Sequence, residues 1–174
     1  MKCFRDPTGR FPERPYYEAE ELDSLSEGLI ISFLRGKYGE VTSPVFTEDL
    51  TILIESETSD LDQYADLTSE GGDVEGVTFF FSDKKPIVKI AGELASADYR
   101  EHRLCTTLTH ELAHVKLHAG LWQFNQLRLL PYEDEGLGPR CKRGEILGAA
   151  QTDWMEWHYP VRMNRREGQS ETCI

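Results

Sequence analysis

His110-Glu111-Leu112-Ala113-His114 places two imidazoles four residues apart with a carboxylate between them. On a helix, residues at that spacing share one face, one turn or ~6 Å of rise apart, and both rings can bind a single metal ion. Glu111 projects about 100° round from His110, beside such an ion rather than on it. A carboxylate there can accept a proton from water. The run therefore reads as a zinc hydrolase signature, with His110 and His114 as ligands and Glu111 as general base.

A catalytic zinc usually takes three protein ligands and keeps one position open, so two histidines do not complete a site. His118 shares the stripe but lies eight residues from His110, or ~12 Å along an unbroken helix. Bonds of ~2 Å cannot bridge that distance. His118 is expected instead to cap the helix C-terminus or to support a ligand from behind. The glycine and third histidine of a metzincin pattern are absent, since their positions hold Leu117 and Gly120. The remaining candidates lie downstream. Glu133, Asp134 and Glu135 form an acidic cluster, Cys141 and Glu145 fall in a glycine-rich stretch, and Glu156 sits between Trp154 and Trp157 on a short predicted helix. Glu156 stands on the more rigid element, but spacing alone does not choose it over a surface glutamate.

The motif needs a helix, and its flanks supply one. Ser96 or Asp98 can cap the start, with Glu101 three residues after Asp98. Leu104, Leu108, Leu112 and Val115 give a buried face, no proline interrupts Tyr99 to Ala119, and Gly120 is the expected stop. Upstream, Tyr17 to Tyr38 predicts a helix with an apolar stripe through Leu22, Leu25, Leu29, Ile30, Phe33 and Leu34. Pro44 to Ile54 reads as a second helix capped by Thr47, with a short strand as the alternative. Val77 to Phe81 and Ile87 to Ile90 are rich in β-branched and aromatic residues and predict two strands around a hairpin-length break. Three parts are expected: an N-terminal arm (1–16), a single domain (17–160) and a polar C-terminal tail (161–174).

The whole chain bounds the function. At 174 residues it can bury a core without staples, and 39% hydrophobic with 29% charged residues fits a soluble globular protein. The net charge of −12 argues against direct nucleic-acid binding, which needs a basic face. Cys3, Cys105, Cys141 and Cys173 are scattered, with no C-x-x-C, so neither a disulfide framework nor a cysteine zinc site is expected. No signal peptide and no membrane-spanning apolar run are read, and the expected location is cytoplasmic.

His110 to His118, H-E-L-A-H-V-K-L-H, preceded by Arg103-Leu104-Cys105-Thr106-Thr107-Leu108-Thr109, resembles the active helix of the ImmA/IrrE-type metallopeptidases. Cys141-Lys142-Arg143 and Asp153-Trp154-Met155-Glu156-Trp157 are similar to a branch of that family, and the resemblance extends upstream through Val74 to Thr78 and Ile87 to Ile90. It implies an α+β fold: a small twisted β-sheet packed against a zincin-type active-site helix, with additional helices. It also implies one Zn²⁺ per chain, Glu156 as third metal ligand, and an intracellular protein or peptide substrate, with a helix-turn-helix repressor as one candidate. After Trp157 the chain departs from the family pattern, because His158-Tyr159-Pro160 leads into an arginine-containing polar segment.

The expected activity is metal-assisted peptide hydrolysis. An oxyanion donor is needed, and Tyr132, His158 and Tyr159 are the candidates. Ile87 to Ile90, as an edge strand, would align an extended substrate. Two rivals stand beside this reading: a degenerate relative that binds a protein without cutting it, and a structural zinc site closed by Cys141.

Overall fold

The computed structural model describes residues 2–7, 9, 11–41, 45–71, 73–81 and 83–126, and the backbone of 140–142; the side chains of residues 98 and 123–126 are outside that description. The architecture is α+β. Helix α1 spans Ala19–Tyr38 and α2 spans Thr47–Glu57. Strands β3 (Asp60–Ala65), β4 (Val74–Phe79) and β5 (Ile87–Ala91) follow. A short helix α3 (Gly92–Ala95) and a 3₁₀ turn (Asp98–Arg100) lead into the long helix α4 (Glu101–Gln126). A further strand, β6, lies at Arg140–Lys142, within the glycine-rich stretch that holds Cys141.

Among the described residues the main sheet has the order β3-β5-β4-β6. The predicted β4–β5 hairpin forms, with Gly76 opposite Ile90 and Thr78 opposite Val88. Residues directly opposite share a face, so Gly76, Thr78, Val88 and Ile90 all face α4. There Val88 and Ile90 pack with Leu108, Leu112 and Val115 of α4, Leu50, Leu53 and Ile54 of α2, and Ile30 and Leu34 of α1 in one core. Lys89 points the other way, as its place in the strand predicts, and lies over the Phe79 ring. Helix α2 runs alongside α4 in the same direction. Thr47 donates to Glu101 near the start of both helices (3.2 Å), and Lys116 pairs with Glu57 near the far end of α2 (3.0 Å).

Several expectations are corrected. Part of the expected loose arm is ordered: β1 (Lys2–Arg5) and β2 (Glu13–Tyr16) pair antiparallel. Ser96 does not start α4 but closes α3, its N–H and hydroxyl both donating to the Gly92 carbonyl. Thr47 is the first residue of α2 rather than its cap, and Phe46 N–H donates back to the Asp49 carboxylate. Helix α4 runs past Gly120. A glycine inside a helix costs only ~1 kcal/mol, and burial of Trp122 two residues on outweighs it. Trp122 stacks on Phe80 (centroids 4.2 Å apart, 15° between planes) and meets Phe11 edge-on at 4.9 Å.

Cys105 is disulfide-bonded, whereas Cys3 is free and exposed. The scattered spacing of the four cysteines, with no C-x-x-C, predicts no such bond. Among the described residues no helix is long and apolar enough to cross a membrane.

Candidate metal centre

The site is built on α4, whose residues from Thr107 to Leu112 are all buried. His110, His114 and His118 form one stripe at successive turns, each no more than 2% exposed. Nε2 of His110 lies 2.8 Å from Nε2 of His114, and the two rings meet edge-on at 4.5 Å. On its other side, Nδ1 of His114 lies 3.0 Å from Nδ1 of His118.

The convergence of two Nε2 atoms suits a metal ion. Two nitrogens on one tetrahedral zinc stand roughly 3.3 Å apart when each bond is ~2.0–2.1 Å, somewhat wider than the 2.8 Å between these two. The donor chemistry also fits, since neutral imidazoles are common zinc ligands. Among the described residues no group of three or more His, Cys, Asp or Glu is placed to hold an ion. Glu156, the third ligand that the resemblance implies, lies outside the described residues, as do Glu133, Asp134, Glu135, Glu145, Tyr132, His158 and Tyr159. Cys141 is described only as backbone within β6.

Glu111 is fully buried. The Thr78 hydroxyl on β4 donates to its Oε2 at 2.5 Å. Gly76, two residues earlier on the same face, lets the strand come this close. A Cβ there would stand 2.6 Å from Glu111 Oε1 and 2.9 Å from the Thr107 methyl. The helix thus presents its histidines along one stripe and its glutamate to the sheet. At the upstream end of this contact Arg103 Nε pairs with Glu75 Oε2 at 2.5 Å, tying the start of α4 to β4.

Neither Thr78 nor Gly76 was picked out from the sequence as a site residue. A signal was available: a hydroxyl buried within an apolar strand requires a partner, and a glycine in a strand marks close backbone approach. Both fall on the same side of β4.

One expectation about the substrate path is overturned. Ile87 to Ile90 is not an edge strand, because β5 is flanked by β4 on one side and β3 on the other. Strand β3 pairs with it in parallel, Leu61 opposite Val88. The backbone groups of β5 are therefore committed to two neighbours and cannot receive an extended peptide.

No family model, no curated protein and no solved structure matches this chain, so the functional reading stands on the motif and on the geometry around it.

Proposed function

We propose that this chain is a zinc-dependent metallopeptidase. The observation that carries the reading is the convergence of two buried imidazole nitrogens, 2.8 Å apart, on the helix that carries a buried carboxylate between them in sequence. His110 and His114 would hold the ion through Nε2, with Glu156 as the third ligand by resemblance. When bound, zinc supplies a Lewis acid that polarises the scissile carbonyl and lowers the pKa of a water to about 7. Glu111 takes a proton from the attacking water and delivers it to the leaving amine as the C–N bond breaks. Thr78 holds the carboxylate that performs this transfer.

The substrate class is a protein or peptide. The resemblance points to a helix-turn-helix repressor, which would connect the enzyme to gene control without contact between this acidic chain and DNA.

The test has two measurements. Metal analysis of the purified chain should find near one zinc per chain, lost in His110→Ala and His114→Ala and lowered in Glu156→Ala. Hydrolysis of an unfolded protein such as casein should disappear in Glu111→Gln while zinc stays bound. A chain that holds no zinc, or one in which Glu111→Gln cuts as well as wild type, is not this enzyme. A chain that binds a protein partner equally well after chelation, and cuts nothing, is a binding module.

A further inference from the structure

We propose that His118 is a positioning residue for the metal site, accepting the Nδ1 proton of His114 and so directing the Nε2 lone pair of His114 toward the ion. This rests on reading His110 and His114 as ligands.

His118 is too far along α4 to share an ion with His110. It is nonetheless 1% exposed in the middle of a helix, where a leucine would be cheaper to bury. A buried imidazole has to be hydrogen-bonded, and its Nδ1 lies 3.0 Å from Nδ1 of His114. Between two ring nitrogens at that distance one carries the hydrogen and the other accepts it.

The two choices have opposite consequences. If His118 donates, the proton of neutral His114 sits on Nε2, where it points at His110 and blocks metal binding. If His114 donates, its proton sits on Nδ1 and Nε2 is left as a lone pair 2.8 Å from Nε2 of His110. Only the second arrangement makes His114 a ligand. His118 then carries its own proton on Nε2, and no net charge changes. The partner behind a metal-bound histidine fixes the tautomer and ring orientation, and its loss typically weakens metal binding 10–100-fold. Here that partner comes from the next turn of the same helix, so the relation between the two rings is set by the backbone of α4.

The experiment measures zinc affinity of the full chain by competition with a chromophoric chelator, using wild type, His118→Asn and His118→Leu. Asparagine keeps an acceptor oxygen where Nδ1 stood, and leucine fills the space without one. Zinc should bind 10–100-fold more weakly to His118→Leu and with near wild-type affinity to His118→Asn, both variants keeping the helical circular dichroism of wild type. A folded His118→Leu with wild-type affinity overturns the proposal, as does an equal loss in both variants. Long-range ¹H–¹⁵N spectra of zinc-loaded wild type decide the matter even if His118→Leu fails to fold. His118 protonated at Nε2, leaving its Nδ1 to accept from His114, is the expected result, and His118 protonated at Nδ1 overturns it. A wild-type chain that takes up no zinc removes the metal reading itself. A zinc-binding wild type with an indifferent His118→Leu removes only the role of His118.

Discussion

Thr78 and Glu111, 33 residues apart in sequence, are joined by a buried hydrogen bond of 2.5 Å between the strand and the helix. The bond connects the two elements that make the site. It fixes one oxygen of a fully buried carboxylate. Removing the hydroxyl should therefore be felt in folding as well as in chemistry.

Thr78→Val keeps the shape of the side chain and deletes the donor. Removing one partner of a buried hydrogen bond costs about 1–3 kcal/mol, so urea unfolding of the metal-free chain should show a loss of about that size. Thr78→Ser should recover most of it. A Thr78→Val midpoint equal to wild type would mean that the bond contributes nothing to stability.

Gly76→Ala should destabilise the fold, because its Cβ would sit 2.6 Å from Glu111 Oε1. Overpacking of this kind costs about 1–3 kcal/mol. The clash is with a named side chain, so a double-mutant cycle can locate it. The penalty of Gly76→Ala should shrink in a Glu111→Ala background. An unchanged penalty would place the strain elsewhere.

Trp122→Ala should release the last turns of α4. Truncating a buried tryptophan costs about 3–5 kcal/mol, and Gly120 is then free to act as a helix breaker. Hydrogen exchange should quicken from Ala119 onward while the amides around His110 stay protected. Uniform loss of protection along the helix would contradict the view that Trp122 holds only its end.

Asp49 lies at the junction of α1 and α2, accepting from Lys37 Nζ (2.6 Å) and from the Tyr38 hydroxyl (2.8 Å). Burial pushes its carboxyl up, but the hydrogen bonds from Lys37, Tyr38 and the Phe46 N–H outweigh it and hold the pKa below its ordinary value of 3.8. The Asp49 hydrogen bond likewise raises Lys37 above 10.5. A depressed acid stabilises the fold above its unfolded pKa, and the benefit fades as pH falls through the folded value; a raised lysine stabilises below 10.5 and fades above it. The stability difference between wild type and Asp49→Asn should thus be flat from about pH 5 to 9 and shrink below about pH 4. A difference that persists undiminished at pH 2 would show that the carboxylate charge is not what matters.

The motif helix was legible because local and long-range demands agree there. Leu104, Leu108, Leu112 and Val115 carry the same period that aligns the histidines. The β4–β5 hairpin was legible for a similar reason, with runs of apolar residues separated by a polar break. Strand β3 was not. Asp60-Leu61-Asp62-Gln63-Tyr64-Ala65 is half-exposed at the sheet edge and shows no clean alternation. Missing it led to the wrong choice of edge strand. The end of α4 was misplaced because Gly120 is a local signal, while Trp122 answers to Phe80 and Phe11, which lie far away in sequence. The Thr78–Glu111 bond depends on how a strand lies against a helix, which neither segment encodes alone.

The parallel pairing of β3 with β5 bears on the order in which the molecule assembles. β4 and β5 are joined by a short turn and can zip together early, whereas Leu61 must find Val88 across the whole intervening hairpin. Closing that larger loop delays β3. Substitutions in the hairpin should slow folding, and those in β3 should mainly hasten unfolding. Stopped-flow rates showing the opposite partition would place β3 in the nucleus.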